Sequence, residues 1–218
     1  MRCLITAGPT YEPLDQVRRL TNQSTGTLGT RLANHLATLG HDVLLLRGEM
    51  ATAQLPVAAV KILPFSSVDN LASHLTSLAC SDPIRVFHAA AVSDFTFGKT
   101  FFRDPKSGDL IPVHAGKLST RNGPLLAELV PTPKLINLLR DQFPNAIIGG
   151  WKYEVDGSPA GVIDRCREQI QGARIQFSIA NGPAYGTGFG RVTSESVRHL
   201  PTLEALIEDL SRNLQGID

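Results

Sequence analysis

The chain has 218 residues, and its 21 basic and 20 acidic side chains leave a formal net charge of +1. This length is enough for an α/β fold with a sizeable hydrophobic core, and we expect residues 1–218 to form a single domain. A balanced charge gives no general electrostatic footprint for nucleic acid or a membrane surface, so any anion site must be local.

The cysteines and the N-terminus indicate the cellular environment. Cys3, Cys80 and Cys166 are widely spaced, and none belongs to a Cys-x-x-Cys metal or redox pattern. The first residues enter an apolar strand directly, without the features of a signal peptide, and no apolar run has the length of a membrane span. We therefore expect reduced thiols in a cytoplasmic protein, with no membrane or nucleic-acid partner.

Hydrophobic periodicity in the first half of the chain predicts alternating strands and helices. A strand at residues 2–7 leads to a Gly-Pro break and later to a helix at 27–39, which ends before Gly40, a typical helix-terminating residue. Ser67 is a typical N-cap for a second helix at 68–79. Further strands are predicted at residues 42–47, within 57–64 and at 83–93.

The second half continues this alternation after a glycine- and charge-rich segment. Residues 96–119 show weak polar alternation, which predicts a hairpin or flap that is mobile without ligand. Thr132 and Pro133 predict a helix start, because a hydroxyl N-cap followed by proline is a strong signal. Further strands are predicted at residues 146–153, 174–180 and 192–200, and further helices at 158–171 and 203–214.

Apolar strands that alternate with helices predict an α/β fold, with a Rossmann-like, mostly parallel sheet covered by helices on both faces. In such sheets, ligands collect at the carboxyl ends of the strands. Candidate site groups follow four of the predicted strands at that edge: Gly8, residues 90–94, residues 151–154 and Asn181.

The segment between the first strand and the first helix carries the clearest signal. Gly26 and Gly29 open the helix, where unpaired backbone N–H groups favour a phosphate, and the hydroxyl of Ser24 adds a donor. About twenty residues separate Thr6 from Gly26, whereas a dinucleotide fingerprint places its three glycines within about six. The alternative interpretation is that both glycines serve only loop geometry and close packing.

The sequence of this segment resembles the first motif of the phosphopantothenate–cysteine ligase family of coenzyme A biosynthesis. The matching runs are ITAGPTYEPLDQVR at residues 5–18 and NQSTGTLG at residues 22–29. Two positions depart from the family pattern. Thr25 replaces a serine and keeps a hydroxyl, whereas Thr27 replaces a common basic residue and removes a possible phosphate contact.

A second run, HAAAVSDF at residues 88–95, is similar to the segment that lies against phosphopantothenate in the same family. The resemblance implies substrate contacts from Ala90, Ala91 and Asp94. By itself, the run would more simply be a tightly packed strand followed by a turn aspartate. The run GKLS at residues 116–119 resembles the family's flap motif, which implies that Lys117 closes over the nucleotide; a lone lysine is otherwise usually solvated.

Two later runs, WKYE at residues 151–154 and IAN at 179–181, resemble segments of the eukaryotic-type ligases. They imply nucleotide contacts from Trp151, Lys152 and Asn181, with Trp151 in place of the usual phenylalanine. An indole face suits base stacking, and an amide can read a base edge. The plainer alternatives are a partly buried core tryptophan and a turn asparagine.

The resemblance implies a ligase that joins 4′-phosphopantothenate and cysteine through an acyl-nucleotidylate, with CTP or ATP as co-substrate. Mg²⁺ would be held mainly by the nucleotide phosphates, with no protein residue assigned as a metal ligand, and no flavin is expected. Asn22 and Lys117 would be catalytic. Arg18 would reach the substrate of the neighbouring subunit, which implies a homodimer with shared active sites. The groups expected around the nucleotide phosphates are Gly8, Ser24, Gly26 and Gly29.

Two other functions stay open. A non-catalytic relative that binds nucleotide is compatible with the threonines at positions 25 and 27. A nicotinamide-dependent reductase is less favoured, since there is no compact Gly-x-Gly-x-x-Gly run. In addition, none of the three tyrosines has a lysine four residues later, as a short-chain reductase would require.

Overall fold

The computed structural model describes residues 1–54 and 60–212. The strand predicted within 57–64 therefore lies partly outside the described residues, as does the end of the helix predicted at 203–214. The helices are α1 (Thr27–Thr38), α2 (Val68–Ser77), α3 (Leu139–Gln142), α4 (Pro159–Ala173) and α5 (Leu203–Arg212), with short 3₁₀ helices at Thr120–Asn122 and Leu135–Leu138. The strands are β1 (Arg2–Ala7), β2 (Tyr11–Pro13), β3 (Arg19–Thr21), β4 (Asp42–Gly48), β5 (Lys61–Phe65), β6 (Arg85–His88), β7 (Phe95–Arg103), β8 (Leu110–Pro112), β9 (Leu125–Pro131), β10 (Ile147–Tyr153), β11 (Phe177–Asn181), β12 (Phe189–Val192) and β13 (Val197–Leu200).

The main sheet has eight strands in the order β13-β12-β11-β10-β6-β1-β4-β5. The six strands from β11 to β5 pair in parallel, and β12 and β13 add an antiparallel edge. The predicted Rossmann-like, mostly parallel fold is confirmed. The chain moves to one side of β1 for β4 and β5 and to the other side for β6, β10 and β11, so β1 and β6 flank a topological switch point.

Hydrophobic cores cover both faces of this sheet. Alternate residues of β1 point to opposite faces, so Leu4 joins the core under α2, α3 and α4, while Cys3 and Ile5 join the core under α1 and α5. Leu32 and Leu36 of α1 are completely buried in the second core. These contacts fix the first turn of α1 at the carboxyl edge of the sheet. In the part of the chain that the structure describes, no helix is both long and apolar enough to cross a bilayer.

Two small antiparallel sheets project from the main sheet. Strands β2 and β3 form a hairpin whose tip is residues 14–18. Strands β8, β7 and β9 form a three-stranded sheet that includes the predicted flap segment 96–119. The prediction of a hairpin in this segment is therefore confirmed, whereas its mobility stays a prediction.

Three boundary predictions are wrong. The strand predicted at 83–93 ends at His88. The segment 192–200 is not one strand but the turn and second strand of a β12–β13 hairpin. Thr132 does not begin a helix, because its N–H donates to Asp94 O at 3.0 Å and its hydroxyl to Ser93 O at 2.5 Å. The chain then makes only a 3₁₀ turn and the short helix α3.

Candidate functional site

The candidate site is the crevice between the chain segments that leave β1 and β6. Beyond the ends of these strands, Pro9 forms a parallel bridge with Ala91. Ala91 N–H donates to Gly8 O at 3.0 Å, and Thr10 N–H donates to Ala91 O at 3.2 Å. The backbone thus joins the two predicted segments, Gly8 and the triple-alanine run, at the switch point.

Three glycines bring the first turn of α1 against the end of β1. A Cβ on Gly26 would lie 3.1 Å from Gly8 Cα, and a Cβ on Gly29 would lie 2.5 Å from Ala7 Cβ. Gly8 and Gly26 also have positive φ angles, 85° and 75°, which most other residues adopt only with strain. The approach of α1 therefore depends on glycine at positions 26 and 29, and the positive φ angle favours glycine at position 8.

The N-terminus of α1 is open toward this crevice. Its N-cap, Gly26, provides no side-chain hydrogen bond, and the first turn contains no acidic residue. Thr25 Oγ1 accepts from Thr27 N–H at 3.3 Å and lies 2.7 Å from Thr27 Oγ1. Ser24, half-buried, precedes this pair. Backbone donors, hydroxyls and the positive end of the helix dipole together form a site suited to an anion.

Asn22 is tied to the opposite wall of the crevice. Its Nδ2 donates to Ala91 O at 3.1 Å, and the residue is exposed. An amide NH₂ has two donor hydrogens, so one holds the backbone while the second can reach a ligand. The structure therefore brings together Asn22 and Ala91, two of the residues that the family resemblance assigns to substrate binding.

Asp94 lies at the rim of the same crevice. Its carboxylate is exposed and forms an ion pair with Lys134. Exposed pairs of this kind contribute at most about 1 kcal/mol. A ligand group could therefore replace Lys134 at this carboxylate at little cost.

The sequence interpretation missed two buried polar residues behind the crevice, Thr6 and His88. Thr6 Oγ1 lies 3.0 Å from His88 Nδ1 and accepts from Ala90 N–H at 3.1 Å. Burial lowers the pKa of His88 from 6.5 to about 4, so the ring is neutral at pH 7. The available signal was that each of these polar residues interrupts an apolar strand. Their contact with each other could not be predicted, because it depends on the strand register.

Arg18 and Lys117 lie together, but at the tip of the β2–β3 hairpin. Both line a surface pocket of about 400 Å³, which also includes Arg121. Arg18 is four residues from Asn22, which corresponds to about 13 Å of extended chain. The residues predicted to contact phosphate and substrate thus form two groups, one in the crevice and one at the hairpin tip. Asp15, which the sequence interpretation did not single out, contacts the second group.

The predicted nucleobase residues occupy both faces of the sheet. Trp151 is half-buried and packs against the core on the α1 side. Its Nε1 and the Oδ1 of Asn181 are buried atoms without a hydrogen-bond partner among the described residues. Lys152 points to the other face, since neighbouring residues of a strand alternate. The structure therefore does not bring Lys152 to the same face as Trp151.

Comparisons with known proteins identify similar sequences. The family model described as "DNA/pantothenate metabolism flavoprotein C-terminal domain" matches residues 1–199. The "Coenzyme A biosynthesis bifunctional protein CoaBC" of Thermococcus kodakarensis is 30% identical over 181 residues, which are 83% of this chain and 41% of the relative. The protein with the same description from Bacillus subtilis is 30% identical over 192 residues, 88% of this chain and 43% of the relative. The chain thus spans less than half the length of these curated relatives.

Solved structures share the fold. The DNA/pantothenate metabolism flavoprotein from Streptococcus pneumoniae superposes with a TM-score of 0.86 at 24% identity, covering 99% of this chain and 98% of that one. A structure described as "Cab2 mutant H337A complex with phosphopantothenate-cysteine" gives a TM-score of 0.73 at 22% identity, covering 98% of this chain and 86% of that one. At these identities the similarity establishes the architecture.

Proposed function

Because this chain belongs to the DNA/pantothenate metabolism flavoprotein C-terminal domain family, we propose that it joins 4′-phosphopantothenate to cysteine in coenzyme A biosynthesis. The resemblance found in the sequence motifs is confirmed at the level of the family. The product would be 4′-phosphopantothenoyl-cysteine, and the Cab2 structure is described as a complex with phosphopantothenate-cysteine.

One observation carries this proposal: the open N-terminus of α1 and the Asn22 amide meet at the same crevice. The helix end suits a phosphate group, and Asn22 is fixed by Ala91 O at 3.1 Å. An anion site beside a positioned neutral donor is what activation of a carboxylate by a triphosphate requires.

The reaction needs two steps, because a free carboxylate does not react with an amine at neutral pH. The substrate carboxylate first attacks the α-phosphorus of the nucleoside triphosphate, which forms an acyl-nucleotidylate and releases pyrophosphate. The amine of cysteine then attacks the acyl carbon and releases the nucleoside monophosphate, leaving an amide and a proton. Both steps place negative charge on oxygen atoms that the crevice can stabilise.

Each predicted site residue would have a separate role in these steps. The α1 N-terminus and Ser24 would hold phosphate oxygens, and Lys117, which lies outside the crevice at the hairpin tip, would move together with that group to neutralise phosphate charge. The second hydrogen of the Asn22 amide would donate to the acyl oxygen. The small side chains at Ala90 and Ala91 leave room for the substrate beside the backbone, and Asp94 would accept from a substrate hydroxyl or amide.

The site suits an Mg²⁺ ion that is bound mainly by the phosphates of the nucleotide. Within residues 1–54 and 60–212, no three histidine, cysteine or acidic side chains cluster in a way that could hold a metal. The crevice offers hydroxyls from Ser24, Thr25 and Thr27 instead. Mg²⁺ commonly binds through substrate phosphates and retains several waters, and bound in this way it would reduce the charge of the triphosphate.

A nucleobase would be recognised near Trp151 and Asn181. The buried indole N–H and amide oxygen are a donor and an acceptor without partners among the described residues, and base-edge groups would satisfy both once the two side chains move to expose them. Neither group selects between ATP and CTP, because each nucleobase presents an amino group beside a ring-nitrogen acceptor.

A homodimer would bring the hairpin-tip group to a crevice. Arg18 lies too far along its own hairpin from Asn22 to reach easily a substrate bound at Asn22 of the same chain. This separation supports the action of Arg18 on the substrate of the neighbouring subunit. Phe95 and Leu129, which share one face of strands β7 and β9, are 44% and 50% exposed. A second copy of the chain would cover this apolar surface.

The alternatives differ in support. A non-catalytic nucleotide-binding relative is the second candidate, because Thr27 stands in the first turn of α1 where a basic residue is common in the family. A reductase is less favoured. Glu49, the residue after β4 that would bind a ribose, accepts from the Tyr11 hydroxyl at 3.0 Å instead.

A coupled pyrophosphate-release assay tests the proposed function. The enzyme is supplied with phosphopantothenate and Mg²⁺, with ATP or CTP, and with or without cysteine. We expect pyrophosphate release to become continuous when cysteine is present, together with amide product detected by mass spectrometry. Triphosphate binding without pyrophosphate release under any of these conditions would favour the non-catalytic relative.

A further inference from the structure

A single carboxylate, that of Asp15, links the hairpin tip to the segment that carries Lys117. The side chain of Asp15 is only 1% exposed although it lies in a surface loop. Its Oδ1 accepts from Val17 N–H at 3.0 Å and from Arg18 N–H at 2.8 Å. These two bonds fix the turn of the β2–β3 hairpin.

The second oxygen of this carboxylate reaches across the fold. Oδ2 accepts from Arg18 Nε at 3.0 Å, from Arg18 Nη2, and from Leu118 N–H at 3.1 Å. Arg18 Nη2 also donates to Leu118 O at 2.8 Å. Both backbone polar groups of Leu118, whose side chain is buried, are therefore held by the pair of Asp15 and Arg18.

A further backbone bond supports the same docking. Gln16 N–H donates to Gly116 O at 2.9 Å, so the residues on both sides of Lys117 are attached to the hairpin tip. Lys117 itself is exposed. The Lys117 side chain thus extends from a segment whose position is set by residues 100 positions earlier in the chain.

From these contacts we propose that Asp15 is a positioning residue that holds Arg18 and Lys117 as one unit, so that both cations are presented to the same anionic substrates. The catalytic consequence rests on the proposed function, whereas the docking of the Lys117 segment on the hairpin tip does not. Bonds from Arg18 and from the backbone of Leu118 keep the pKa of Asp15 well below its usual value. The carboxylate therefore stays ionised throughout the neutral range.

Limited trypsin digestion of the ligand-free protein tests the docking. Trypsin cleaves the peptide bond between Lys117 and Leu118, and the N–H of that bond donates to Asp15. A protease must draw the segment into an extended form, which breaks this hydrogen bond. We expect Asp15→Asn to accelerate cleavage after Lys117 by at least roughly tenfold, because a bond to a charged acceptor is lost. Cleavage after Arg103, the last residue of β7, and after Lys106, in the β7–β8 turn, is the internal reference and should not change.

Asp104→Asn is the matched control. Asp104 Oδ1 accepts from Lys106 N–H at 2.7 Å and from Ser107 N–H at 3.0 Å, within the β7–β8 turn. This variant should accelerate cleavage after Lys106 but not after Lys117. Faster cleavage at every site in Asp15→Asn would indicate general unfolding. In that case, amide hydrogen exchange of the parent protein decides the question, since rapid exchange of the Leu118 amide overturns the proposal and slow exchange supports it.

Kinetics test the catalytic consequence. With the parent enzyme active, Asp15→Asn should raise KM for both phosphopantothenate and the triphosphate, while Asp104→Asn should leave both unchanged. The parent enzyme could be active while Asp15→Asn changes neither the KM values nor the cleavage after Lys117. That result overturns the positioning role of Asp15 and leaves the proposed function standing. If the parent shows no ligase activity but Asp15→Asn still releases the Lys117 segment, the proposed function fails and the docking stands.

Discussion

His88 Nδ1 and Thr6 Oγ1 lie 3.0 Å apart on the neighbouring strands β6 and β1, directly behind the crevice. The same hydroxyl oxygen accepts from Ala90 N–H at 3.1 Å. A hydroxyl can accept one bond and donate another, so Thr6 connects a neutral buried ring to the backbone of the triple-alanine run. The shape of this wall of the crevice thus depends on two side chains that do not line it.

Removing the Thr6 hydroxyl should loosen this wall. Thr6→Val keeps the shape of the side chain but leaves His88 and the Ala90 amide without their partner, at a cost of about 1–3 kcal/mol in unfolding free energy. Thr6→Ser keeps the hydroxyl and should retain most of the stability. Urea denaturation measures the difference. Equal stability of the valine and serine variants would show that the hydroxyl contributes nothing.

Stability should fall at acidic pH because of His88. Its pKa is lowered from 6.5 to about 4 in the folded protein, so the unfolded chain binds the additional proton between these values. The unfolding free energy should therefore decrease as pH falls from about 6.5 to 4, by on the order of 3 kcal/mol. His88→Gln should flatten this part of the profile, whereas His114→Gln, at an exposed position, should not.

Replacing Asn22 should affect turnover more than nucleotide binding. Asn22→Ala removes the proposed donor to the acyl oxygen, and loss of one such donor typically costs about 10²- to 10³-fold in rate. Gln23→Ala changes the exposed neighbour and serves as the control. Steady-state kinetics and triphosphate titration separate the two quantities. Near-normal turnover of Asn22→Ala would exclude Asn22 from the mechanism.

The contact of α1 with β1 should be sensitive to a single methyl group. Gly29→Ala places a Cβ 2.5 Å from Ala7 Cβ, and relief of such an overlap should cost about 1–3 kcal/mol. Gly172→Ala is the matched change near the end of α4, where no atom lies within 4 Å of the added Cβ. That control should be neutral or more stable by up to about 1 kcal/mol. Calorimetric unfolding of both variants compares them directly, and equal melting temperatures would refute the close contact.

Much of the fold could be predicted from local sequence signals. Ser67 and Ser158 accept from the amides of Asn70 and Gly161, as their positions before helices predict. The Thr132-Pro133 signal failed because the Thr132 hydroxyl and amide bond to the chain after β6. A cap is a local preference, and here a long-range contact outweighs it.

The candidate site was predictable only in part, for the same reason. Gly26 and Gly29 indicate the helix start within a short stretch of sequence. Gly26 has a positive φ angle, and Gly29 packs closely against Ala7. The contacts between Asp15 and Leu118, or between Thr6 and His88, join residues 103 and 82 positions apart. Such pairs depend on the strand order and register of the folded chain, which no pattern within a short window contains.

The wall of the crevice at the end of β1 consists largely of main-chain atoms: the amides of the first turn of α1 and the peptide groups of Gly8 and Ala91, which bond to each other. Peptide groups are the same in every amino acid, so their positions survive many side-chain replacements. Neighbouring side chains, such as those of Thr25 and Thr27, can therefore be replaced while these main-chain groups keep their positions. Selection should act most strongly on the few glycines whose missing side chains allow the backbone segments to meet.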